Sequence, residues 1–191
     1  MIWFSSDFHF GHNKDFIYGP RGFDNFYDAA AQIIKNCQEV IAWDDTFYIL
    51  GDVMLNDDEF GIKCLRQLPG YKHLIVGNHD SSARINKLKE ANIFHSIECG
   101  GRMKYDKYMF WYSHYPMKMG NYKDKHPVWN LSGHTHSKNI FDNGEDCVYN
   151  VAVDAHNCYP VSIDQIVNDL EPQNIIKFNF LGSNVYDKNI N

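Results

Sequence analysis

Side chains of the kinds that bind divalent metal ions occur in five short clusters along this sequence of 191 residues. Each cluster follows a short apolar run, and none of them contains a cysteine. A carboxylate, amide or imidazole directly after an apolar run is typical of a buried strand whose end carries chemistry. The clusters are Asp7-Phe8-His9, Gly51-Asp52, Gly77-Asn78-His79-Asp80, Ser113-His114 and Gly133-His134-Thr135-His136.

The ligand types narrow the choice of metal. Histidine and carboxylate ligands without sulfur favour a first-row divalent ion such as Mn, Fe, Co, Ni or Zn over a structural zinc ion. Asp7 and His9 are two residues apart, so in extended backbone both side chains point to the same side. One cluster alone would be weak evidence, because Gly-Asp and His-x-His also occur in ordinary turns and surface strands. Five clusters predict a metal centre assembled from separate strand ends.

Strands and helices must alternate to bring these clusters together, and the first half of the sequence predicts this alternation. The apolar runs predict strands at Ile2–Phe4, Thr46–Leu50 and His73–Val76. Helical spacing predicts helices at Asp24–Ala42, Asp57–Leu68 and from Ser81 or Ser82 to Ala91. A strand, helix, strand order indicates a mainly parallel sheet.

The second half of the sequence predicts more strands and one short helix. Two strands, Ile93–Cys99 and Arg102–Tyr105, are expected on either side of a turn at Gly100-Gly101. The helix is expected to end near Leu170, before an alternating run from Ile176 to Phe180. We assign residues 1–182 to one domain and residues 183–191 to a polar tail that we expect to be disordered. Further strands are expected at Tyr108–Tyr112, Val128–Ser132 and Cys147–Val153.

Composition limits the possible partners. A net charge of −6 disfavours binding to long nucleic acid, although a short oligonucleotide remains open as a ligand. The five cysteines are widely spaced, without a Cys-x-x-Cys pair, and indicate reduced thiols. The apolar start is too short for a signal peptide, and no apolar run could cross a bilayer. We therefore expect a cytoplasmic protein with no membrane partner and leave its oligomeric state open.

In their order, the clusters resemble the signature of the calcineurin-like metallophosphoesterase superfamily. That signature is Asp-x-His, then Gly-Asp, then Gly-Asn-His followed by an acid, then a histidine, then Gly-His-x-His. The resemblance covers about residues 2 to 136, and residues 147–154 resemble the closing core strand of the family. It implies an α/β (α+β) fold, a four-layer α-β-β-α sandwich of two mixed sheets with a two-metal centre at its edge.

The resemblance also implies a role for each cluster. Two divalent ions would share Asp52, and a hydroxide between them would attack the phosphorus of a phosphodiester or of a small phosphorylated molecule. His79 would stabilise the transition state and act as a general acid, with Asp80 orienting its ring. By this analogy, one ion would be held by Asp7, His9, Asp52 and His136, and the other by Asp52, Asn78, His114 and His134.

The sequence departs from the family pattern after Asp52. Members that cleave phosphoproteins carry a nearby Asp-Arg-Gly, and here the residues after Asp52 contain no arginine as far as Asp58, which disfavours a protein phosphatase. Arg21, in a loop expected to expose it, could replace that arginine as a grip on phosphate, or could be a solvated loop residue. His12 could lie behind the metal ligands and meet substrate, or could be an ordinary surface histidine. Other residues open to either a substrate role or a packing or solvated role are Lys118, Lys123, Lys125, Tyr115, Tyr122 and Trp129.

Two other functions compete with a small-molecule phosphoesterase. One is a nuclease or an end-processing phosphatase, which the acidic net charge weighs against. The other is a non-catalytic scaffold that keeps the fold, and such scaffolds tend to lose the histidine that corresponds to His79. Because His79 and every implied ligand are present, the sequence favours an enzyme.

Overall fold

The computed structural model describes residues 1–118, 128–141 and 147–172 of the chain. In these residues the strands form two sheets, and helices connect several of the strands. In chain order they are β1 (Ile2–Ser5), α1 (Asp15–Tyr18), α2 (Phe26–Val40), β2 (Thr46–Ile49), α3 (Asp58–Gln67), β3 (Tyr71–Ile75), α4 (Ser82–Glu90), β4 (Ser96–Glu98), β5 (Gly101–Tyr105), β6 (Tyr108–Tyr112), β7 (Val128–Ser132), β8 (Val148–Asn150), β9 (Val161–Ser162) and α5 (residues 163–172).

Both sheets are mixed. The first has the strand order β4-β3-β2-β1-β9, in which only β9 runs antiparallel to its neighbour. The second has the order β5-β6-β7-β8, in which only the β5–β6 pair is antiparallel. A parallel bridge between Ser6 and Ala152 connects the chain after β1 with the chain after β8. The end of β1, which precedes the first cluster, therefore lies where the two sheets meet.

The first sheet has a hydrophobic core on each face, because successive side chains of a strand point to opposite faces. Phe47, Ile49 and Leu74 face the helices, where they pack with side chains of α2, α3 and α4. The neighbouring Leu50 and Ile75 face the second sheet and pack with its strands and with α5. Because both faces of the first sheet are covered, its strands are apolar on both sides, as expected for parallel strands between two layers. The two mixed sheets, with helices packed against each hydrophobic core, confirm the predicted fold class.

The helices begin where short polar side chains can cap them. The Asn25 side chain accepts a hydrogen bond from the Asp28 backbone N–H at the start of α2. Asp57 accepts from Phe60 at the start of α3, and Ser81 accepts from Arg84 at the start of α4. Each cap satisfies a backbone donor that the first helical turn leaves unpaired. None of the described helices is both long and apolar enough to cross a bilayer.

The structure corrects the predicted turn at Gly100-Gly101. We expected the strands on either side of it to be joined as neighbours, but β4 pairs with β3 in the first sheet and β5 pairs with β6 in the second. The glycine pair is therefore the crossover between the sheets. A Cβ on Gly101 would lie 2.4 Å from the Tyr112 ring, so a larger residue there would force this ring to move. Sequence spacing alone could not distinguish a hairpin from this crossover.

Other differences are smaller. The short helix α1 was not predicted, and the last predicted strand is reduced to β8, followed by the bridge at Ala152. The predicted run from Ile176 to Phe180, the tail from Ser183, and the residues Tyr122, Lys123 and Lys125 lie outside the described part of the chain.

Candidate metal centre

The strand ends bring the predicted ligands together in two groups. In each group the possible ligand atoms lie within 4.8 Å of one another. The parallel pairing explains this arrangement: Ser5 is level with Ile49, so the backbone N–H of Asp7 donates to Gly51, next to Asp52. Group one is Asp7, His9 and His136, and group two is Asp52, His114 and His134.

Asp52, a member of group two, also faces group one. Its Oδ2 atom is 3.5 Å from Nε2 of His114 and 3.7 Å from Nε2 of His9, so one oxygen faces ligands of both groups. Its Oδ1 atom accepts a hydrogen bond of 2.8 Å from the backbone N–H of His79. The carboxylate is thus fixed by the third cluster while its second oxygen points between the groups.

Asn78 joins group two. Its Oδ1 atom lies 2.7 Å from Nε2 of His114 and 2.9 Å from Nδ1 of His134. The other ring nitrogen of His114 lies 2.8 Å from the carbonyl oxygen of Leu50, which can only accept, so that nitrogen must carry the proton. In this tautomer, Nε2 of His114 presents a lone pair towards two oxygens, of Asn78 and Asp52. A shared cation would satisfy these converging lone pairs.

Group one also fits a cation. Asp7 Oδ1 and His9 Nε2 are buried without a hydrogen-bond partner, and His136 Nε2 lies 3.9 Å from that Asp7 oxygen. Burial raises the pKa of the Asp7 carboxyl, because desolvation disfavours its charge. Burial, followed by the charge of His136, lowers the pKa of His9 to about 2, so His9 is neutral at physiological pH. Orphaned buried polar atoms are rare, and a bound ion would satisfy both of these.

Two glycines precede ligand residues because a side chain would occupy the place of a carboxylate. A Cβ on Gly133 would lie 2.1 Å from Asp7 Oδ2, and a Cβ on Gly77 would lie 2.3 Å from Asp52 Oδ1. Both distances are far below van der Waals contact, so alanine at either position would displace a ligand. The glycines of the third and fifth clusters are therefore steric requirements of the centre.

The ligand residues share an unusual backbone conformation. Five of them have φ in the left-handed region, where residues other than glycine are uncommon but aspartate and histidine are enriched. All of them lie in the segments that follow β1, β2 and β7. The residues and φ values are Asp7 (60°), His9 (51°), Asp52 (54°), His134 (70°) and His136 (51°).

Comparison with known proteins agrees with this geometry. The model of the calcineurin-like phosphoesterase family matches residues 1–183, which is most of the chain. The chain belongs to the calcineurin-like phosphoesterase family. Members of this family hydrolyse phosphoesters with divalent metal ions, and this phosphoesterase carries both candidate ligand groups.

Relatives of this phosphoesterase occur in archaea, bacteria and phage. An uncharacterized protein of Methanocaldococcus jannaschii is 31% identical over 182 residues, covering 92% of this chain and 94% of its own. The gene 66 protein of Mycobacterium phage L5 is 31% identical over 165 residues, covering 72% and 78%. A crystal structure of a protein of unknown function from Aquifex aeolicus superposes with a TM-score of 0.65 at 26% identity, covering 88% and 98%.

Arg21 is not the exposed residue that the sequence suggested. Its side chain is 2% exposed and grips Asp154 with two hydrogen bonds, of 2.9 and 3.0 Å. It also donates to the backbone carbonyls of Asp7 and Phe8, at 2.8 and 3.2 Å. Because these bonds occupy the guanidinium in the interior, the expectation that Arg21 is exposed and available for phosphate is wrong. The Arg21 side chain thus connects the backbone of the first cluster with Asp154, which follows β8.

Asp154 also contacts His136, a candidate metal ligand. Its Oδ2 atom lies 3.0 Å from Nδ1 of His136. Burial alone would raise the pKa of Asp154, but the hydrogen bonds with His136 and Arg21 lower it to about 2. Burial would lower the pKa of His136, but the bond to Asp154 and the charge of Asp7 raise it. A carboxylate behind a ligand histidine fixes the ring orientation and increases its basicity.

Replacing Asp154 by asparagine is therefore expected to weaken metal binding by about 10- to 100-fold and to lower stability as well, because the buried Arg21 loses its charged partner. The measurement is competition for the metal with a chromogenic chelator. Asp164→Asn, in an exposed residue of α5 that accepts from the Tyr105 hydroxyl, is the matched control and should leave the affinity unchanged. Equal metal affinity in the Asp154→Asn and wild-type proteins would contradict the role of this carboxylate.

His79 lies at the mouth of the centre. Its side chain is 43% exposed, and Nε2 is 4.0 Å from Asp52 Oδ2. Its backbone is held on both sides, because its N–H donates to Asp52 and its carbonyl accepts from Arg84. The Arg84 side chain is itself anchored by Asp58 at 2.9 Å. The ring of His79 thus projects from a fixed backbone.

The Asp80 carboxylate contacts backbone N–H groups and not the ring of His79. We predicted that it orients the ring of His79, but its oxygens accept from the backbone N–H groups of Asp52 and Gly77, both at 2.9 Å, and of Val53 at 3.3 Å. Burial raises the pKa of Asp80, although these bonds oppose the shift. Its carboxylate therefore ties the end of β2 to the end of β3 and holds the backbone of Asp52.

The remaining candidates that the structure describes differ in exposure, and Lys118 is exposed. His12 is 8% exposed, and its Nδ1 atom lies 3.4 Å from Nδ1 of His9, so it sits behind a ligand and is not a surface histidine. Trp129 is 2% exposed and belongs to the core between the sheets. Tyr115, by contrast, is exposed beside His134.

The sequence reasoning missed two residues of the site, Asp154 and Ser6. The Ser6 hydroxyl donates to Asp7 Oδ2 at 2.6 Å, and the backbone N–H of His134 donates to the same oxygen at 2.9 Å. A usable signal existed for Asp154, because it follows the apolar run Val151-Ala152-Val153 just as Asp52 follows its own run. A serine beside an aspartate gives no comparable signal.

Proposed function

We propose that this chain hydrolyses a phosphodiester or a small phosphorylated molecule with two divalent ions, drawn from Mn, Fe, Co, Ni and Zn. One ion would be held by Asp7, His9, His136 and Asp52, and the other by Asp52, Asn78, His114 and His134. When bound, two such ions neutralise phosphate charge and lower the pKa of water to near neutrality. The overall reaction adds water to the phosphoester and releases an alcohol.

The observation that carries the proposal is the position of Asp52. One carboxylate oxygen lies within 3.7 Å of ligand nitrogens from both groups. A carboxylate has two oxygens that it can share between two cations. An imidazole or an amide normally binds one cation. The hydrogen bond from the His79 N–H holds this carboxylate in place.

His79 is proposed to act on the substrate. Its exposed ring lies beside the ring of His9, with the centroids 5.3 Å apart, and could reach an ester oxygen placed at the two groups. We assign it stabilisation of the phosphoryl charge and proton donation to the leaving oxygen.

The environment of Arg21 supports a diester over a phosphoprotein or another dianionic monoester. A terminal phosphate carries more negative charge and is commonly gripped by a guanidinium. Here the guanidinium of Arg21 is committed to Asp154 and to two backbone carbonyls. A singly charged diester needs less compensation of this kind.

The test is hydrolysis of bis-p-nitrophenyl phosphate and p-nitrophenyl phosphate side by side, after chelation and then with each metal added back. We expect no turnover after chelation and faster cleavage of the diester when metal is restored. Metal content, measured by mass spectrometry of the desalted protein, should approach two ions per chain. Faster cleavage of the monoester would refute the diester preference, and metal-independent turnover would refute the proposed chemistry.

A further inference from the structure

An exposed aromatic ring borders group two. Tyr115 is 49% exposed, and its ring centroid lies 4.6 Å from that of His134 and 5.1 Å from that of His114. The residue follows His114 directly, and its backbone carbonyl accepts a hydrogen bond of 2.8 Å from the Ser113 hydroxyl. The backbone of Tyr115 is therefore fixed just after the end of β6, while its ring is exposed beside group two.

A second exposed ring borders group one. Phe16, in α1, is 68% exposed and meets the His12 ring edge to face, with 5.6 Å between centroids. The His12 ring lies 5.4 Å from that of His9. An unbroken series of contacts thus runs from one exposed ring, through the ligands of both groups, to the other. The rings mark the two ends of the site.

The position of His79 distinguishes the two ends. Its ring lies 5.3 Å from that of His9, a ligand of group one. His79, the proton donor of the proposed function, therefore lies at the end that carries Phe16. In a diester cleaved here, the leaving group would lie towards Phe16 and the retained organic group towards Tyr115.

We propose that Phe16 and Tyr115 are specificity residues that stack on the two organic groups of a small phosphodiester, each group bearing a planar ring such as a nucleobase or an aryl ring. This inference rests on the proposed function and adds a substrate class to it. Stacking of one base on an aromatic side chain strengthens binding by about 5- to 150-fold in single-strand binding proteins and needs no hydrogen-bond match, because every base has a π-face. One ring at each end suits one diester linkage, and the net charge of −6 disfavours a long polyanion.

The reaction balances with water as the only co-reactant. Water adds its oxygen to phosphorus, the bond from phosphorus to the leaving oxygen breaks, and that oxygen takes up a proton. The products are an alcohol or phenol and a phosphomonoester that still carries the retained group. Tyr115 would therefore contact the substrate and the phosphomonoester product alike.

Two esters with the same leaving group isolate the role of Tyr115. Thymidine 5′-(p-nitrophenyl phosphate) retains a nucleoside, whereas methyl p-nitrophenyl phosphate retains only a methyl group. We expect Tyr115→Ala to lower kcat/KM about tenfold for the thymidine ester and to leave the methyl ester nearly unchanged, while Tyr115→Phe keeps the wild-type preference. Phe16→Ala should lower kcat/KM for both esters by the same factor, because both lose contact with the nitrophenyl ring.

Tyr71→Ala is the matched control. Tyr71 is 52% exposed and begins β3, whereas the ligand Asn78 follows the other end of that strand, so its loss should change neither ester. An unchanged ratio of the two esters in Tyr115→Ala, with the wild type cleaving both, would overturn the inference and leave the proposed function intact.

Binding of the product separates the inference from catalysis. Thymidine 5′-monophosphate should bind the metal-loaded protein about tenfold more weakly in Tyr115→Ala than in the wild type or in Tyr115→Phe, as measured by calorimetry. If the wild type cleaves neither ester, the proposed function fails, and this titration still tests the stacking. Equal affinity in Tyr115→Ala and the wild type would overturn it.

Discussion

Asp52→Asn is expected to lower metal-dependent turnover by on the order of 10³-fold and to reduce the metal content of the protein. The substitution keeps the shape of the side chain and an oxygen that can accept from the His79 N–H. It removes the negative charge that faces His9 and His114, at 3.7 and 3.5 Å. Because this carboxylate belongs to group two and also faces His9 of group one, its loss should affect both ions, whereas loss of a histidine should affect one.

The measurement is metal content and kcat/KM on the same preparation. Asp45→Asn is the matched control, because Asp45 is also a buried carboxylate but lies at the opposite end of β2, where it binds the amino terminus and the Trp3 indole. That variant should lose stability and keep both its metal and its activity. A fully loaded and active Asp52→Asn protein would remove the basis for a shared carboxylate.

The second large effect is expected from His79→Ala. This variant should keep its metal and its thermal stability, because the side chain is 43% exposed and only the backbone of the residue holds Asp52. Its kcat should fall by about 10²- to 10⁴-fold, the usual contribution of a general acid. The loss should be smaller for a nitrophenyl ester than for an alkyl ester, because nitrophenolate leaves readily without a proton.

His95→Ala serves as the control for this histidine. His95 is exposed beside Tyr71, at the edge of the sheet away from the metal ligands, and its loss should change neither metal content nor rate. If His79→Ala lost its metal together with its activity, His79 would be needed to assemble the centre, and the assignment as acid would fail.

Much of the site could be predicted because the carboxyl ends of neighbouring parallel strands lie at the same edge of the sheet. The run Thr46–Leu50 has strand length, is rich in β-branched and aromatic residues and is followed by Gly51, which favours an interior strand. Once β1 and β2 are taken as parallel neighbours, Asp7 and Asp52 must meet at one sheet edge. The same reasoning places Asn78 beside them, after β3.

The supporting contacts could not be predicted, because they depend on how distant segments pack. Arg21 and Asp154 are 133 positions apart, and nothing in the local sequence of Arg21 distinguishes a buried arginine from a solvated one. The partition of β4 and β5 between two sheets depends on which strand edge is free, which is a property of the whole fold. The backbone contacts of Asp80 follow from the turn after β3, and the adjacent His79 in the sequence misleadingly suggested a ring contact.

The left-handed backbone of five ligand residues has a consequence for how this protein can evolve. Each such residue costs roughly 1 kcal/mol relative to ordinary backbone, so together they cost roughly 5 kcal/mol, the lower end of the net stability of a domain. Metal binding to the folded chain would offset this cost by mass action. Core mutations of one or two kcal/mol would then be tolerated in cells rich in the metal and eliminated in cells poor in it. The supply of the metal would thus set how far the rest of the sequence can drift.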